Sequence, residues 1–172
     1  MKAGLLSKIE MMDREELYKA IYTDSLTSTL NRRALQEQSY LHIAFIDLDS
    51  LKWINDNIDH AEGNSLLIEL STKLKEEFGE DNVYRLGGDE FAITCNQEGC
   101  KFGLNVRLRN LRLNYPKFSY GIGSSLKEAD NNLNLDKFRR EQSGERAQRG
   151  DCPPWFSLRG ACPPWFSLRG AS

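Results

Sequence analysis

The sequence of 172 residues lacks several features that would place it in a special class. No apolar run approaches the roughly 20 residues that cross a bilayer, and the first residues have no apolar centre of a secretory signal. The four cysteines form no C-x-x-C pair and have no histidine nearby, so a zinc site is not expected. These absences predict a protein of the reducing cytoplasm with no membrane segment.

An excess of positive charge is missing as well, except at the C-terminal end. The net charge is −2; residues 137–172 carry seven Lys and Arg against three Asp and Glu, a balance of +4, which leaves −6 for residues 1–136. An acidic body argues against a nucleic-acid partner, because the phosphate backbone attracts Lys and Arg. The hydrophobic share of 40% and the charged share of 28% are ordinary for a globular protein, and the length suits one domain with a tail.

Apolar patterns along the chain predict a small α+β domain. Helical spacing or a good cap predicts helices over residues 4–22, 32–39 (with Asn31 as N-cap), 60–78, 98–112 and 126–140. Apolar runs predict strands over residues 41–47, 82–84, 91–94 and 118–123. This order predicts a palm-like fold, a central and mostly antiparallel sheet flanked by helices on one face. We divide the chain into an N-terminal helix (1–22), a central domain (23–141) and a tail (142–172).

The N-terminal helix has two interpretations. Its apolar side chains suit a helix packed on its own domain, or a short helix that dimerises or transmits a signal. The first is favoured because the heptad pattern is not sustained.

Two acid-bearing segments stand out. Gly87 and Gly88 lie between two β-prone runs and predict a hairpin tip, which Asp89 and Glu90 follow at once. Taken alone, this segment also fits an ordinary solvated turn. Asp47 ends the apolar run 41–47, and a carboxylate there is costly to bury unless it is paired or binds a metal. The two segments together therefore predict a site for a divalent cation.

Four motifs in this order resemble those of the GGDEF domains, the diguanylate cyclases that join two GTP into cyclic di-GMP. They resemble the family patterns D-x-L-T-G-L-x-N-R, D-x-D-x-F-K-x-x-N-D, H-x-x-G-D and R-x-G-G-D-E-F, at residues 24–32, 47–56, 60–64 and 85–91. The resemblance runs from about residue 22 to about residue 140. It implies that two GTP-loaded domains face each other in a homodimer.

The resemblance also implies roles for single residues. A 3′-hydroxyl would attack an α-phosphorus with pyrophosphate leaving, while Mg²⁺ (or Mn²⁺) polarises the phosphates. Asp47, Asp89 and the Leu48 carbonyl would hold the metal, with Glu90 as a further metal-site or proton-accepting carboxylate. Lys52 would meet the terminal phosphates. The other implied substrate-binding residues are Asn55 and Asn64 at the base, Gly87 and Gly88 along the triphosphate, and Lys137 and Arg140 in the C-terminal motif.

Departures from the family pattern change the expectations. Ser28 replaces the Gly of the first motif, and Leu51 replaces the Phe of the second. Asn64 replaces an Asp that accepts hydrogen bonds from guanine; because an amide also donates, guanine preference should be relaxed, and cyclic GMP-AMP is an alternative product. Phe78 stands where the product-inhibition motif R-x-x-D has Arg, leaving Asp81 alone, so inhibition by product at this site is not expected.

The C-terminal family motif is degraded, and the body is short. Lys137 matches its Lys, but its final Arg is absent, with Arg139 and Arg140 nearby. Weak turnover, or a domain that binds GTP or a cyclic dinucleotide without turnover, is therefore the alternative function.

The tail contains a duplicated decapeptide. Residues 151–160 recur at 161–170 with nine of ten positions identical. One interpretation is an appended segment that does not belong to the fold. The other is a guanine-dinucleotide ligand, because Arg, Asp and Trp side chains suit guanine edges and faces. The tail would then bind cyclic di-GMP through Arg146, Arg149, Asp151 and Trp155.

Overall fold

A single five-stranded sheet forms the centre of the domain. The computed structural model describes residues 12–115, 117–147 and 151–157. The strands are β1 (Leu30–Asn31), β2 (His42–Leu48), β3 (Val83–Gly87), β4 (Glu90–Cys95) and β5 (Phe118–Gly123), in the spatial order β1-β3-β4-β2-β5. β1 and β3 are parallel, and the other neighbouring pairs are antiparallel. The predicted α+β class with a mostly antiparallel sheet is confirmed.

Seven α-helices accompany the sheet in the described residues. They are α1 (Arg14–Tyr22), α2 (Arg32–Gln36), α3 (Leu51–Asn57), α4 (His60–Phe78), α5 (Cys100–Asn114), α6 (Leu126–Gln142) and α7 (Pro154–Ser157), with a 3₁₀ turn over Glu80–Asn82. The bounds of α4 match the prediction, and Asn31 caps α2 by accepting a hydrogen bond from the Ala34 amide at 3.1 Å. Residues 4–11 of the predicted N-terminal helix lie outside the described residues. No helix in the described part of the chain is long and apolar enough to cross a membrane.

Helices cover both faces of the sheet, so the expectation of helices on one face is wrong. Successive side chains of a strand point to opposite faces. Ala44 and Ile46 of β2 belong to a large cluster with α3, α4 and α5, whereas Ile43 belongs to a second cluster with α2 and with Ala129 of α6. The strand run 41–47 is apolar throughout because both of its faces are buried.

α1 lies at the edge of this arrangement. None of its nine residues is buried. At its end, the Tyr22 hydroxyl donates to a carboxylate oxygen of Glu37 at 2.7 Å, and the Tyr22 ring packs beside the second cluster.

Part of the tail packs into the large cluster. Trp155 and Phe156 are only 8% and 7% exposed, and the Phe156 ring lies 5.5 Å from the Trp53 ring of α3. Residues 151–157 therefore differ from the expectation of a segment separate from the fold. Residues 148–150, with Arg149, and the second decapeptide lie outside the described residues.

The first motif fastens the turn between β3 and β4. Asp24 accepts hydrogen bonds from the Thr27 amide at 2.9 Å and the Thr27 hydroxyl at 2.7 Å, and it pairs with Arg85 Nη1 at 2.9 Å. Ser28 has a φ of +56°, in the left-handed region that glycine tolerates best. This conformation explains why the related motif carries Gly at this position.

Cys95 and Cys100 form a disulfide that the spacing did not predict. It joins the end of β4 to the first residue of α5, with the two Cα atoms 6.3 Å apart. The cytoplasmic location stays a prediction.

Candidate active site

The predicted hairpin tip lies against the end of β2. In the β2–β4 register Asp47 stands opposite Glu90, and the Leu48 amide donates to the Asp89 carbonyl at 2.9 Å. The Gly88 carbonyl accepts from Arg85 Nη2 at 2.8 Å, which holds the turn from the other side. The backbone thus brings the two acid-bearing segments together, as the sequence predicted.

The two glycines of the turn are required by conformation. Gly87 has a φ of +142° and Gly88 a φ of +53°. A Cβ at either position would meet no atom within 4 Å. Any other residue at these two positions would therefore strain the backbone without colliding with the rest of the domain. The open space beside the turn leaves room for a ligand.

Asp47 is a buried carboxylate in an unfavourable setting. It is 8% exposed, and Lys137 Nζ lies 2.7 Å from its Oδ2. The pKa of Asp47 is raised to about 6: burial is the largest cause, Lys137 opposes the shift, and the charges of Asp89 and Asp49 add to it. A cation beside Asp47 would stabilise its charged form.

Asp49 lies two residues after Asp47, and both of its carboxylate oxygens accept hydrogen bonds. Its Oδ2 accepts from Arg140 Nη1 at 2.5 Å, and its Oδ1 accepts from Arg146 Nε and from the Ser119 hydroxyl, both at 2.8 Å. Arg140 Nη1 also donates to the Phe118 carbonyl at 2.6 Å. Asp49 and its two arginines form a buried ionic network that ties α6 and the tail to β2.

Arg140, a predicted substrate-binding residue, is therefore turned inward. It is 3% exposed, and its guanidinium belongs to the Asp49 network. Contact with a phosphate would require this network to open. Sequence reasoning passed over Asp49, although the second Asp of the D-x-D motif was the available signal.

A cavity of about 750 Å³ lies beside Asp47 and Asp89, which together we call the acidic edge. It gathers four of the predicted site residues: Asp47, Lys52, Asp89 and Lys137. Residues that the sequence had not assigned to this cavity complete its lining: Ser50, Leu51, Trp53, Asp56, Asn57, Glu141, Arg146, Ala147 and Asp151. Both signs of charge therefore meet in one cavity, as binding of a cation and a phosphate chain requires.

The predicted base-binding residues lie where α3 meets α4. A Cβ added to Gly63 would stand 2.0 Å from Asn55 Oδ1, so the glycine of the third motif allows close packing of the two helices. Asn55 Oδ1 is buried and has no hydrogen-bond partner among the described residues. Asn64 is exposed on α4, next to Gly63. Neither asparagine is among the cavity-lining residues of the described chain.

The Glu90 carboxylate pairs with Arg32. Its Oε2 lies 3.4 Å from Arg32 Nη2, and Arg32 Nε donates to the Leu86 carbonyl at 2.8 Å. Within the described residues, no group of three or more His, Cys, Asp or Glu side chains converges as a ready metal cluster. The donors at this edge are hard oxygen ligands that fit Mg²⁺, which commonly uses one or two carboxylates together with substrate phosphates.

The family described as "Diguanylate cyclase, GGDEF domain" matches residues 19–112. The match spans more than half of the chain and includes the signature turn. The chain belongs to the GGDEF family. In this GGDEF chain β5, α6 and the tail follow the matched region.

Two similar proteins from the sequence comparison are diguanylate cyclases. DgcP of Escherichia coli K12 is 36% identical over 127 residues, which cover 59% of this chain and 37% of DgcP. TpbB of Pseudomonas aeruginosa strain UCBPP-PA14 is 42% identical over 83 residues, which cover 41% of this chain and 19% of TpbB. The GGDEF chain thus spans well under half the length of these relatives.

Solved GGDEF domains have the same fold. The GGDEF domain of TpbB from Pseudomonas aeruginosa PAO1 gives a TM-score of 0.57 at 27% identity, covering 69% of this chain and 90% of that domain. A microbial GGDEF domain studied in its interaction with cyclic di-GMP gives a TM-score of 0.52 at 28% identity, covering 69% and 94%. The predicted GGDEF fold is confirmed.

Proposed function

We propose that this GGDEF domain condenses two GTP into cyclic di-GMP and releases pyrophosphate. The observation that carries the proposal is the meeting of Asp47 and Asp89 with Lys52 and Lys137 around one cavity. A 3′-hydroxyl is a poor nucleophile at neutral pH, and the leaving group carries much negative charge. Paired carboxylates can hold a cation that activates the hydroxyl, and lysines can neutralise the charge on the phosphate oxygens.

Asp47, Asp89 and the Leu48 carbonyl would hold Mg²⁺ (or Mn²⁺), with Glu90 beside them. The bound metal would polarise the phosphates and lower the pKa of the attacking hydroxyl. The raised pKa of Asp47 supports this assignment, because that carboxylate lacks enough positive charge around it. Lys52 and Lys137 would orient the phosphate chain from the other wall of the cavity.

The reaction needs a second copy of the domain. Each cavity would hold one triphosphate, and each 3′-hydroxyl must reach the α-phosphorus of the other nucleotide. We therefore propose that catalysis takes place in a homodimer with two cavities facing each other.

Base selection is proposed to be relaxed. Asn64 is exposed beside the α3–α4 junction, and its amide brings a donor as well as an acceptor, whereas the N1–H and N2–H₂ groups of guanine both donate. Adenine-containing products such as cyclic GMP-AMP are the expected consequence.

Product inhibition of the R-x-x-D kind is proposed to be absent. Phe78, at the position of the motif's Arg, is 7% exposed and belongs to the core, with the Arg107 guanidinium 4.4 Å from the centre of its ring. Asp81 is exposed on the surface without the Arg. Cyclic di-GMP at micromolar concentration should leave the initial rate unchanged, and half-inhibition in that range would contradict this assignment.

A binding module without turnover is the second candidate. The inward position of Arg140 favours it, because Arg140 was a predicted substitute for the missing final Arg of the C-terminal motif. Incubation with GTP, ATP and an equimolar mixture, each with Mg²⁺, followed by mass analysis, separates the candidates. Cyclic di-GMP from GTP supports the cyclase, and mixed product adds relaxed base selection. Bound but unconverted nucleotide supports the binding module.

A further inference from the structure

The tail is fixed to the domain at two points. At the far point, which we call the tail anchor, Trp155 and Phe156 are buried in the large hydrophobic cluster. The Phe156 ring meets the Trp53 ring at 5.5 Å and an interplanar angle of 62°, an edge-to-face geometry. Lys117 Nζ lies 5.1 Å from the centre of the Trp155 ring. Because the Trp155 ring is buried and covered in this way, it is not presented for stacking with a nucleotide.

The near point is ionic. Arg146 Nε donates to Asp49 Oδ1 at 2.8 Å, and Arg146 Nη1 pairs with Glu141 of α6. Asp49 is 2% exposed and lies two residues beyond Asp47. Arg146 is therefore held against the same strand end that carries the candidate metal ligand.

Three described residues of the tail also line the cavity. Arg146, Ala147 and Asp151 line it together with Asp47 and Asp89. With the tail in place the volume is about 750 Å³, within the range of roughly 300–1,000 Å³ that is usual for small-molecule sites. These tail residues thus form part of the cavity wall and leave room for a ligand.

Arg146 can contribute positive charge to a bound triphosphate. Its Nε and Nη1 are engaged by carboxylates, whereas its Nη2 makes no hydrogen bond to any of the described residues. The fork of a guanidinium suits phosphate oxygens, and Arg146 lines the cavity together with Lys52 and Lys137.

We propose that the tail forms part of the nucleotide-binding site. The tail anchor holds the tail in position, and Arg146 binds the phosphate chain of the nucleoside triphosphate. This inference rests on the proposed function, since it assumes that the cavity receives a nucleotide. It assigns a substrate-binding role to a residue that lies beyond the region matched by the family.

The duplication supplies a matched control for the tail anchor. Trp165 and Phe166 repeat Trp155 and Phe156 in the second decapeptide, with the same neighbours in sequence. We compare the Trp155→Ala/Phe156→Ala variant with Trp165→Ala/Phe166→Ala. Binding of a non-hydrolysable GTP analogue with Mg²⁺ is measured by calorimetry, and thermal unfolding is followed alongside. The first pair should weaken binding by about tenfold or more and lower the melting temperature, and the second pair should change binding by less than about twofold.

Arg146→Gln tests the phosphate contact while leaving the anchor in place. The dissociation constant of the triphosphate analogue should rise about tenfold, whereas that of GMP should stay within about twofold, and Arg146→Lys should restore part of the difference. Equal effects of the two decapeptide pairs, or equal losses for triphosphate and GMP in Arg146→Gln, would overturn the inference. Failure of the unmodified protein to bind the analogue would overturn the proposed function itself, and the inference with it.

Discussion

The region that matches the family supplies the buried acids of the site, and the region that follows it supplies the basic side chains that pair with them. Residues 19–112 supply Asp47 and Asp89 at the edge of the sheet. The following region supplies Lys137, bonded to Asp47 at 2.7 Å, and Arg146, bonded to Asp49 at 2.8 Å. The positions of the acids are determined by local strand and turn geometry. The positions of the basic side chains depend on long-range packing, because α6 and the tail must come back to the end of β2.

The largest effect is expected at the acidic edge. Asp47→Asn should lower turnover by at least about a hundredfold, because it removes a proposed metal ligand. The same change should stabilise the metal-free protein at neutral pH by about 1–3 kcal/mol. In the folded protein the pKa of Asp47 is about 6, raised from 3.8 mainly by burial. The ionised carboxylate therefore lowers the free energy of unfolding at neutral pH. This penalty disappears as the pH falls below 3.8, the pKa of the carboxyl in the unfolded chain. Activity assays and urea unfolding at two pH values check both parts. Loss of stability at neutral pH would contradict the electrostatic account.

The next effect concerns the buried network that joins the two regions. Arg140→Ala removes a guanidinium that is 3% exposed and leaves Asp49 buried with less positive charge. The free energy of unfolding should fall by about 3 kcal/mol, typical of a broken buried ion pair. Urea denaturation measures it, with the exposed Arg139→Ala as the control on the same helix. Equal small losses for both variants would show that the network does not hold α6 to β2.

A smaller effect is expected inside the matched region, at the α3–α4 junction. Gly63→Ala would place a Cβ 2.0 Å from Asn55 Oδ1, so the helices must separate or Asn55 must move. A loss of about 1–3 kcal/mol in stability is expected, typical of overpacking. In Gly103→Ala of α5 the added Cβ meets no atom within 4 Å, so this control should gain up to about 1 kcal/mol from helix propensity. Thermal unfolding compares the two, and losses of equal size would refute the close packing of α3 on α4.

The smallest effect is expected at the first motif. Ser28 adopts a φ of +56°, so Ser28→Gly should raise stability by up to about 1 kcal/mol through relief of backbone strain. Ser65→Gly, within α4, should instead cost about 0.5 kcal/mol through lower helix propensity. Unfolding midpoints distinguish the two signs, and a loss at Ser28 would contradict the strain.

The two regions also differ in how much of their structure could be predicted from the sequence. Local periodicity sufficed for α4 and β5, whose predicted bounds match the structure. Local motifs sufficed to bring Asp47 and Asp89 together. The network from Arg140 and Arg146 to Asp49 joins residues 91 and 97 positions apart, and no local pattern encodes such contacts. Docking of Phe156 on Trp53 was missed for the same reason, since a short aromatic segment after Pro-Pro has no periodicity to reveal its partner.

The central claim is that the acidic edge is a metal-dependent site for joining nucleoside triphosphates. The most direct test is pyrophosphate release from GTP in a Mg²⁺ titration, for the unmodified protein and for Asp89→Ala, with circular dichroism to verify the fold. We expect Mg²⁺-dependent release of pyrophosphate by the unmodified protein and its loss in a folded Asp89→Ala variant. Unchanged release by Asp89→Ala, or release that does not depend on the metal, would contradict it.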